Sequence, residues 1–341
     1  MHGPENCIID GQGKYLNNEF DYLATSVSSI VSAGTCCFTC NLSSHNYVDV
    51  NSITLRNGYV SAAKNASSFY IAKASGFRAT DCIVERMFHT GSRSGIIRCV
   101  SGTGHLYNCR IRDIATSTSQ ILGFGIWYHA CVFERIRCNN ELIESAATIF
   151  NSVFKDIKCN NIIGYGSGSA SIPSISNSLL YNIHVTSGIL FALQRWSVLN
   201  CTFVISSDSD IAIGNSFNTT THPIIIGNNI FVSSNGKKIT LYTDKYDKLS
   251  VYNNYCSGYS GEKEIDCLSG TDPGFTDPEN GDFHLLDTSP CISAGNYSIM
   301  YSSKDLDKRP FETRHPSIGC YQWQKKKNAH IPNKASAFPL G

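Results

Sequence analysis

Six charged side chains are the best-equipped candidates for catalysis in this chain. They form three pairs at matching places in three similar segments: Arg112 and Asp113, Glu134 and Arg135, Lys155 and Asp156. A lyase acting on an acidic sugar needs an Arg or Lys base beside carboxylates that hold Ca²⁺ against the substrate. The six residues supply all of these types, whereas an inverting hydrolase would need a tight carboxylate cluster.

Four aromatic residues are candidates for ligand contact, namely Trp127, Tyr128, Tyr165 and Tyr181. Aromatic rings on a flat sheet can stack on sugar rings, but they fill hydrophobic cores just as readily. Both interpretations stay open at this point.

Metal and cofactor signals are weak. The segment Cys36-Cys37-Phe38-Thr39-Cys40 contains a C-x-x-C, but no second pair follows at zinc-finger spacing, which favours a thiol cluster. Asp305 and Asp307 could bind Ca²⁺, although a turn explains a D-x-D pair equally well. His89, His129 and His184 are isolated in sequence and indicate structural roles. We therefore expect no metal and no cofactor, with Ca²⁺ as the one alternative.

A short motif recurs through the middle of the chain and must position these residues. Five segments align without gaps: Cys82–Met87, Cys109–Ile114, Cys131–Ile136, Ser152–Ile157 and Ser178–Ile183. Looser copies start at Ser52, Cys201, Asn229 and Asn254, and successive copies begin 21 to 30 residues apart. A fixed motif with variable spacing is typical of stacked coils with strands in register and loops of varying length.

The motif itself predicts strand geometry. With its first residue as position 0, positions 0, 2 and 5 are small or apolar and positions 3 and 4 are polar. Alternation predicts a strand with one face inward, and two successive outward residues require a bend. Position 7 turns inward again, at Cys138, Cys159 and Val185.

The outward positions alternate in charge from coil to coil. Position 3 is occupied by Glu85, Arg112, Glu134, Lys155 and Tyr181, and position 4 by Arg86, Asp113, Arg135, Asp156 and Asn182. Coils stacked ~4.8 Å apart would place each charge beside an opposite one, whereas like charges there would be destabilising. This alternation favours a structural ladder over an active site.

Composition excludes some classes of function. The formal net charge is +1, so no global basic field would hold a nucleic acid. No stretch approaches the ~20 apolar residues of a membrane helix, and no signal sequence begins the chain. The 15 cysteines lie mostly in apolar segments, which favours buried free thiols. Cys109 and Cys131 would stack with parallel Cβ vectors, which suit a disulfide poorly.

The chain resembles the pectin-lyase-like superfamily, in particular bacterial secreted or surface-anchored right-handed β-helix repeat proteins. The first coils are similar at Ile8–Gly13 and Ile53–Tyr59. A closing module of the choice-of-anchor type is similar at Asp272–Phe275, Gly281–Leu285, Ser289–Gly295 and Ile318–Tyr321. Ser317 stands where the family usually has Asp, and Lys325–Lys327 begins no recognisable anchor. The resemblance covers roughly residues 7 to 323 and implies fold and an extracellular setting, but not catalysis.

These observations predict an all-β protein, a single-stranded right-handed parallel β-helix of about nine or more coils. We expect the β-helix at 1–260, lacking an N-terminal cap, a closing module packed on it at 261–323, and a tail at 324–341. The predicted function is binding of a glycan or protein partner along the lateral face of a secreted or cell-surface protein. The alternatives are a polysaccharide lyase or glycoside hydrolase and a viral tail spike; neither nucleic acid nor a membrane span is expected, and the oligomeric state is left open.

The residues at position 1 form an outward-facing column that is mostly apolar. Position 1 holds Ile83, Arg110, Val132, Val153 and Leu179, of which four are apolar. A contiguous apolar stack several coils tall is unusual on a free surface. We expect a loop, the closing module or a partner to lie over it.

Overall fold

The structure is a computed structural model and is all-β in the part that it describes. That part comprises residues 7–10, 14–15, 30–32, 38–40, 47–60, 69–71, 76–89, 97–99, 103–116, 121–122, 125–143, 147–163, 174–191, 197–213, 224–241, 249–256 and 264–325. Parallel strands stack in register into long sheets, one strand per coil. The predicted parallel β-helix is therefore confirmed.

Sheet 1 carries the repeated motif and is the longest, with eleven strands in sequence order. Its strands are Ile8–Asp10, Thr54–Val60, Ile83–His89, Arg110–Thr116, Val132–Cys138, Val153–Cys159, Leu179–Val185, Thr202–Ser207, Ile230–Ser233, Tyr255–Cys256 and Leu268–Ser269.

Sheet 2 precedes sheet 1 in each coil and has ten strands. They are Tyr47–Asn51, Gly76–Thr80, Thr103–Tyr107, Ile126–His129, Thr148–Phe150, Ser174–Ser176, Ser197–Leu199, Ile224–Gly227, Leu249–Tyr252 and Glu264–Ile265.

The third side of the coils is less continuous. It has three strands at Phe38–Cys40, Phe69–Ile71 and Ile97–Cys99, and five at Glu141–Ile143, Asn161–Ile163, Ile189–Phe191, Ile211–Ile213 and Ile239–Leu241. Antiparallel pairs join Lys14–Tyr15 to Ile30–Ser32 and Phe275–Asp277 to Asp282–Leu285, and short 3-10 helices occur at Pro278–Asn280 and Tyr297–Ile299. The coil count therefore differs by side among the described residues: sheet 1 has eleven strands, against a prediction of about nine or more coils, while the longer run on the third side spans five coils.

A left-handed residue turns each coil from sheet 2 into sheet 1. This corner residue has φ between 48° and 56° in ten coils: Ser52, Asp81, Asn108, Ala130, Asn151, Asn177, Asn200, Asn228, Asn253 and Asp266. Apart from Gly, Asn and Asp adopt this left-handed conformation most readily, because their short side chains hydrogen-bond to nearby backbone groups. The sequence therefore marks this corner in eight of the ten coils by an Asn or Asp just before position 0; Ser52 and Ala130 occupy it in the other two.

The predicted bend within the motif is also confirmed. Position 4 has φ between 50° and 57° in six coils, at Asn57, Arg86, Asp113, Arg135, Asp156 and Asn182. The next coil has no residue at position 4. Tyr181 pairs with Val204 and Ile183 pairs with Ile205, so Asn182 has no register partner in that strand. One looser copy was aligned wrongly: Thr54 pairs with Ile83, so Ile53 rather than Ser52 corresponds to Cys82.

The core is a set of ladders of like residues. Phe133 stacks on Phe154 at 4.4 Å between ring centroids, and Phe203 on Phe231 at 4.9 Å. Position 0 forms a second, more polar ladder of buried Cys, Ser and Asn side chains. Cys82, Cys109 and Cys131 are free thiols there, and the Cys82 sulfur lies 3.3 Å from the carbonyl oxygen of Thr80.

The C-terminal segment of the described chain packs on the later coils of sheet 1. Phe275, Phe283, Leu285 and Ile318 form one buried cluster with Leu179, Ile230 and Tyr255, and Val153 packs against it. Position 1 is thus covered by this segment from about the Val153 coil onward. Ile83 and Val132, in earlier coils, stay half-buried.

Candidate functional site

The six candidate catalytic residues lie together on the outer face of sheet 1, in the register that the sequence predicts. Glu85, Arg112, Glu134, Lys155 and Tyr181 are consecutive partners across five strands. The column extends further, because Asp10 pairs with Arg56 and Arg56 with Glu85. From Asp10 to Lys155 the charges in this column alternate, so register partners in adjacent strands carry opposite signs.

Short ion pairs join the coils within this ladder. The guanidinium of Arg135 makes two bonds to Asp113, with Nε–Oδ1 at 2.6 Å and Nη2–Oδ2 at 3.0 Å. Lys155 Nζ lies 3.0 Å from Glu134 Oε2, and Arg112 Nη2 lies 2.5 Å from Glu85. Two-point contacts of this kind fix geometry as well as charge.

Glu134 is the most enclosed carboxylate of the ladder, with 4% of its surface exposed. Burial raises its pKa, but hydrogen bonding and charge from Lys155, together with the charges of Arg135 and Arg110, outweigh burial and lower the pKa overall. The pKa of Arg135 is raised, chiefly by its hydrogen bond to Asp113. Both groups are therefore held in their charged forms.

The ladder is thus arranged for cohesion between coils. Asp113 and Glu134 are bound by cations, and Asp156 accepts a hydrogen bond from Asn182 Nδ2 at 2.6 Å. A general base needs an accessible lone pair, and a Ca²⁺ ligand needs open oxygens. In these three carboxylates such oxygens already serve neighbouring side chains, which supports the structural interpretation.

The four aromatic candidates have different positions. Tyr128 is fully buried against Phe133, so its assignment as a ligand contact is wrong, because no part of the ring reaches the surface. Tyr165 lies outside the described residues. Tyr181 packs on Phe283 of the C-terminal segment at 5.0 Å. Trp127 alone lies half-buried on the outer face of sheet 2.

Trp127 borders a column of stacked rings that follows the helix axis. We call the column formed by Tyr107, His129, Phe150 and Tyr301 the ring column. Successive centroids in it are 4.5, 5.3 and 4.6 Å apart, with interplanar angles of 11°, 24° and 21°. His105 and Trp127 form a tilted pair beside it, with 5.5 Å between centroids and 43° between the ring planes.

The two imidazoles in this region are neutral near pH 7. Burial, and secondarily the nearby His105, lower the pKa of His129 to about 4. Burial and the charge of Arg78 lower the pKa of His105. His105 Nδ1 and His129 Nε2 are buried, and neither has a hydrogen-bond partner among the described residues.

The C-terminal segment docks on the corner beside the ring column. Asn253 Nδ2 donates to the carbonyl of Ala294 at 2.9 Å, and Asn177 Nδ2 to that of Lys304 at 3.0 Å. Between them, Asn228 both donates to the Asn296 carbonyl and accepts from its N–H, each at 2.8 Å. Residues 294–301 therefore run along the corner from later to earlier coils and end with Tyr301 stacked on Phe150, while Lys304 contacts the following coil at Asn177.

The corner residues and the ring column both continue into earlier coils. The corner residues Asn108, Ala130 and Asn151 are exposed, and Tyr107 and His129 are half-buried. We call these five residues, with His105 and Trp127, the upstream surface. Tyr107 and His129 stand two residues before a motif copy, and the corner residues stand one residue before it. Alignment of the residues before each motif copy would therefore have predicted both columns.

The residues considered as metal ligands in the sequence can be located only in part. Among the described residues, no group of three or more His, Cys, Asp or Glu side chains is arranged to hold a metal ion. Asp305 and Asp307 instead contact Arg309, at 3.0 and 2.7 Å. Cys36 and Cys37 lie outside the described residues. In the same part of the chain, no helix has the length and apolar character to span a membrane.

Comparisons with known proteins give limited results. No family model and no curated protein matches this sequence. One similar solved structure is an alginate lyase in complex with G6, at 15% identity and a TM-score of 0.30. The match covers 71% of this chain and spans about three fifths (61%) of that chain. A likeness of this size carries no argument about activity.

Proposed function

We propose that this protein binds a polypeptide partner along its lateral face, and that the upstream surface is the contact area. The observation that carries the proposal is continuity with a contact already made. Residues 294–304 dock on corner amides and on the ring column; beyond them the corner residues continue, exposed, through three preceding coils, and the ring column continues, half-buried, through two.

The chemistry of the docked segment indicates what the partner presents. Backbone groups meet the corner asparagines, and an aromatic side chain, Tyr301, stacks on the end of the ring column. Ile299 fills the space above Gly227, where any larger side chain would collide with it. The expected partner therefore contributes an extended backbone with aromatic and aliphatic side chains.

Ring geometry favours a peptide over a glycan. A sugar stacks on the face of an aromatic ring, whereas the rings of this column already use their faces on each other at 4.5 to 5.3 Å. They offer mainly their edges to solvent. The low pKa of His129 also keeps the surface uncharged near neutral pH, which suits burial under apolar side chains.

The probe for this proposal is a fluorescent synthetic peptide of residues 294–304, titrated into the full chain. Tyr107→Ala and Trp127→Ala should each weaken binding at least about tenfold, as loss of one aromatic contact of ~1.4 kcal/mol would. Tyr47→Ala is the matched control, since Tyr47 is an exposed aromatic on sheet 2 that lies two coils before the upstream surface. It should bind the peptide as the parent does.

Other results would overturn the proposal. No saturable peptide binding, or binding equal in the parent and in both variants, would remove the upstream surface as the site. Binding of oligosaccharides that is lost in Trp127→Ala would favour a glycan instead. Turnover of acidic polysaccharides, followed by reducing ends and by ultraviolet absorbance of unsaturated products, would favour the lyase or hydrolase alternative.

We also propose an extracellular or cell-surface location, which rests on the family resemblance. Antibody labelling of intact and permeabilised producing cells tests it. Labelling only after permeabilisation would contradict this location.

A further inference from the structure

A serine, a histidine and an aspartate meet on the outer face of sheet 1, at position 6 of the later coils. Ser206 Oγ lies 3.0 Å from His184 Nδ1, and His184 Nε2 lies 3.4 Å from Asp208 Oδ1. His184 and Ser206 are register partners in adjacent strands, whereas Asp208 follows the second strand. His184, isolated in the sequence, is therefore not isolated in the fold.

The contacts favour one tautomer of His184. The Asp208 carboxylate lies 3.4 Å from Nε2 as an ion-pair partner, so Nε2 carries the proton. Nδ1 then has the free lone pair and can accept from the Ser206 hydroxyl, which also lies 3.5 Å from the Ile183 carbonyl oxygen. A nucleophile within reach of a base that a third group orients is the arrangement that activates serine. The base here is half-buried, and the serine is only partly covered.

We propose that Ser206, His184 and Asp208 form a hydrolytic site for esters carried on a polymer. Ser206 Oγ attacks the ester carbonyl carbon while its proton passes to His184 Nδ1. The bond from that carbon to the alcohol oxygen breaks, and His184 returns the proton to the departing alcohol. Water then attacks the acyl-serine, gives a proton to His184, and releases the carboxylic acid as Ser206 recovers its proton.

The surroundings indicate the class of substrate. Lys158 is the register partner of His184 on the side away from Ser206 and is half-buried, and Arg137, the next residue in the column, is buried. The charge of Lys158 therefore lies beside the base, where it attracts anionic chains. An open sheet face admits a pendant acyl group on a long chain. The expected substrate is therefore an O-acyl ester on an acidic polymer.

The test uses the folded full chain with two probes, a fluorophosphonate and p-nitrophenyl acetate. Mass spectrometry should locate the phosphonyl group on Ser206, and Ser206→Ala should remove both adduct and hydrolysis. His184→Ala should slow labelling about 100-fold or more, the usual range for loss of a general base. Ser234→Ala is the matched control: Ser234 follows in the same column, its hydroxyl donates to the Ile205 carbonyl, and its loss should change neither readout.

Asp208 acts through His184 and is a positioning residue. Because its side chain is 72% exposed, Asp208→Asn should cost much less than the about 10⁴-fold loss at a buried triad aspartate, and should shift the pH profile of labelling. No Ser206 adduct on folded protein, or labelling unchanged in His184→Ala, would overturn the proposal. Peptide binding at the upstream surface is measured separately, so either proposal can fail without the other.

Discussion

Replacement of Asn229 by alanine should destabilise the later coils of the β-helix strongly. Asn229 is fully buried at position 0 of its coil. Its Oδ1 accepts from the Cys201 N–H at 2.9 Å, and its Nδ2 donates to the carbonyl of Val198 at 2.8 Å and to Asn254 Oδ1 at 3.0 Å. One side chain thus links three coils in the fully buried interior.

The magnitude follows from these contacts. Loss of three hydrogen bonds costs about 0.5–1.5 kcal/mol each, and the buried Cys201 N–H left without a partner adds ~1–3 kcal/mol. We expect a total of about 3–4 kcal/mol, since the remaining carbonyl and amide partners keep part of their bonding. Asn229→Ser should cost clearly less, because at the same ladder position Ser152 Oγ accepts from the Cys131 N–H at 3.1 Å.

Hydrogen exchange with peptide-level mass spectrometry is the suitable assay, because a solenoid can unfold locally. Protection should fall in residues 197–207 and hardly change in 132–138. Asn235→Ala is the control, since Asn235 is exposed; its side chain donates to the Ser207 carbonyl at 2.7 Å and accepts from Ser233 Oγ at 3.2 Å. A loss below about 1 kcal/mol in Asn229→Ala, or a serine variant no better than alanine, would refute the ladder argument.

Three further outcomes are expected. Leu179→Asp should disrupt the contact with the C-terminal segment at a cost of several kcal/mol, because Leu179 is buried there. Val132→Asp should shift the denaturation midpoint little, because Val132 is half-buried and the C-terminal segment does not cover it. Equal shifts in the two variants would contradict the inferred covering of position 1. Because the folded pKa of Glu134 is lowered, its contribution is present above its ordinary value of 4.5 and is lost as pH falls through the folded value, so Glu134→Gln should flatten the acid limb of the melting curve. Native alkylation followed by mass spectrometry should modify exposed Cys7 but neither Cys109 nor Cys131, and a disulfide between the latter two would disprove the thiol assignment.

Local features of the coils were predictable from the sequence. Alternation along a strand has a period of two, so the motif identifies its inward residues, and two adjacent outward residues require the bend observed at position 4. Stacking places like positions side by side, so the partners of Glu134 could be named before any coordinates. The same rule would have given the ring column, had the positions before each motif copy been aligned.

Tertiary structure alone decided which surfaces are covered and which side chains meet across loops. The Asn177 side chain bonds to Lys304, 127 residues later, and no local pattern encodes where a returning segment lands. Asp208 reaches His184 because the coil at Ser206 omits the residue equivalent to Asn182 and then turns outward. Tyr128 and Trp127 are neighbours in sequence, yet one fills the core and the other lies on the surface. The reason is physical: strand periodicity is a local property, whereas packing depends on which distant segments exclude water from a face.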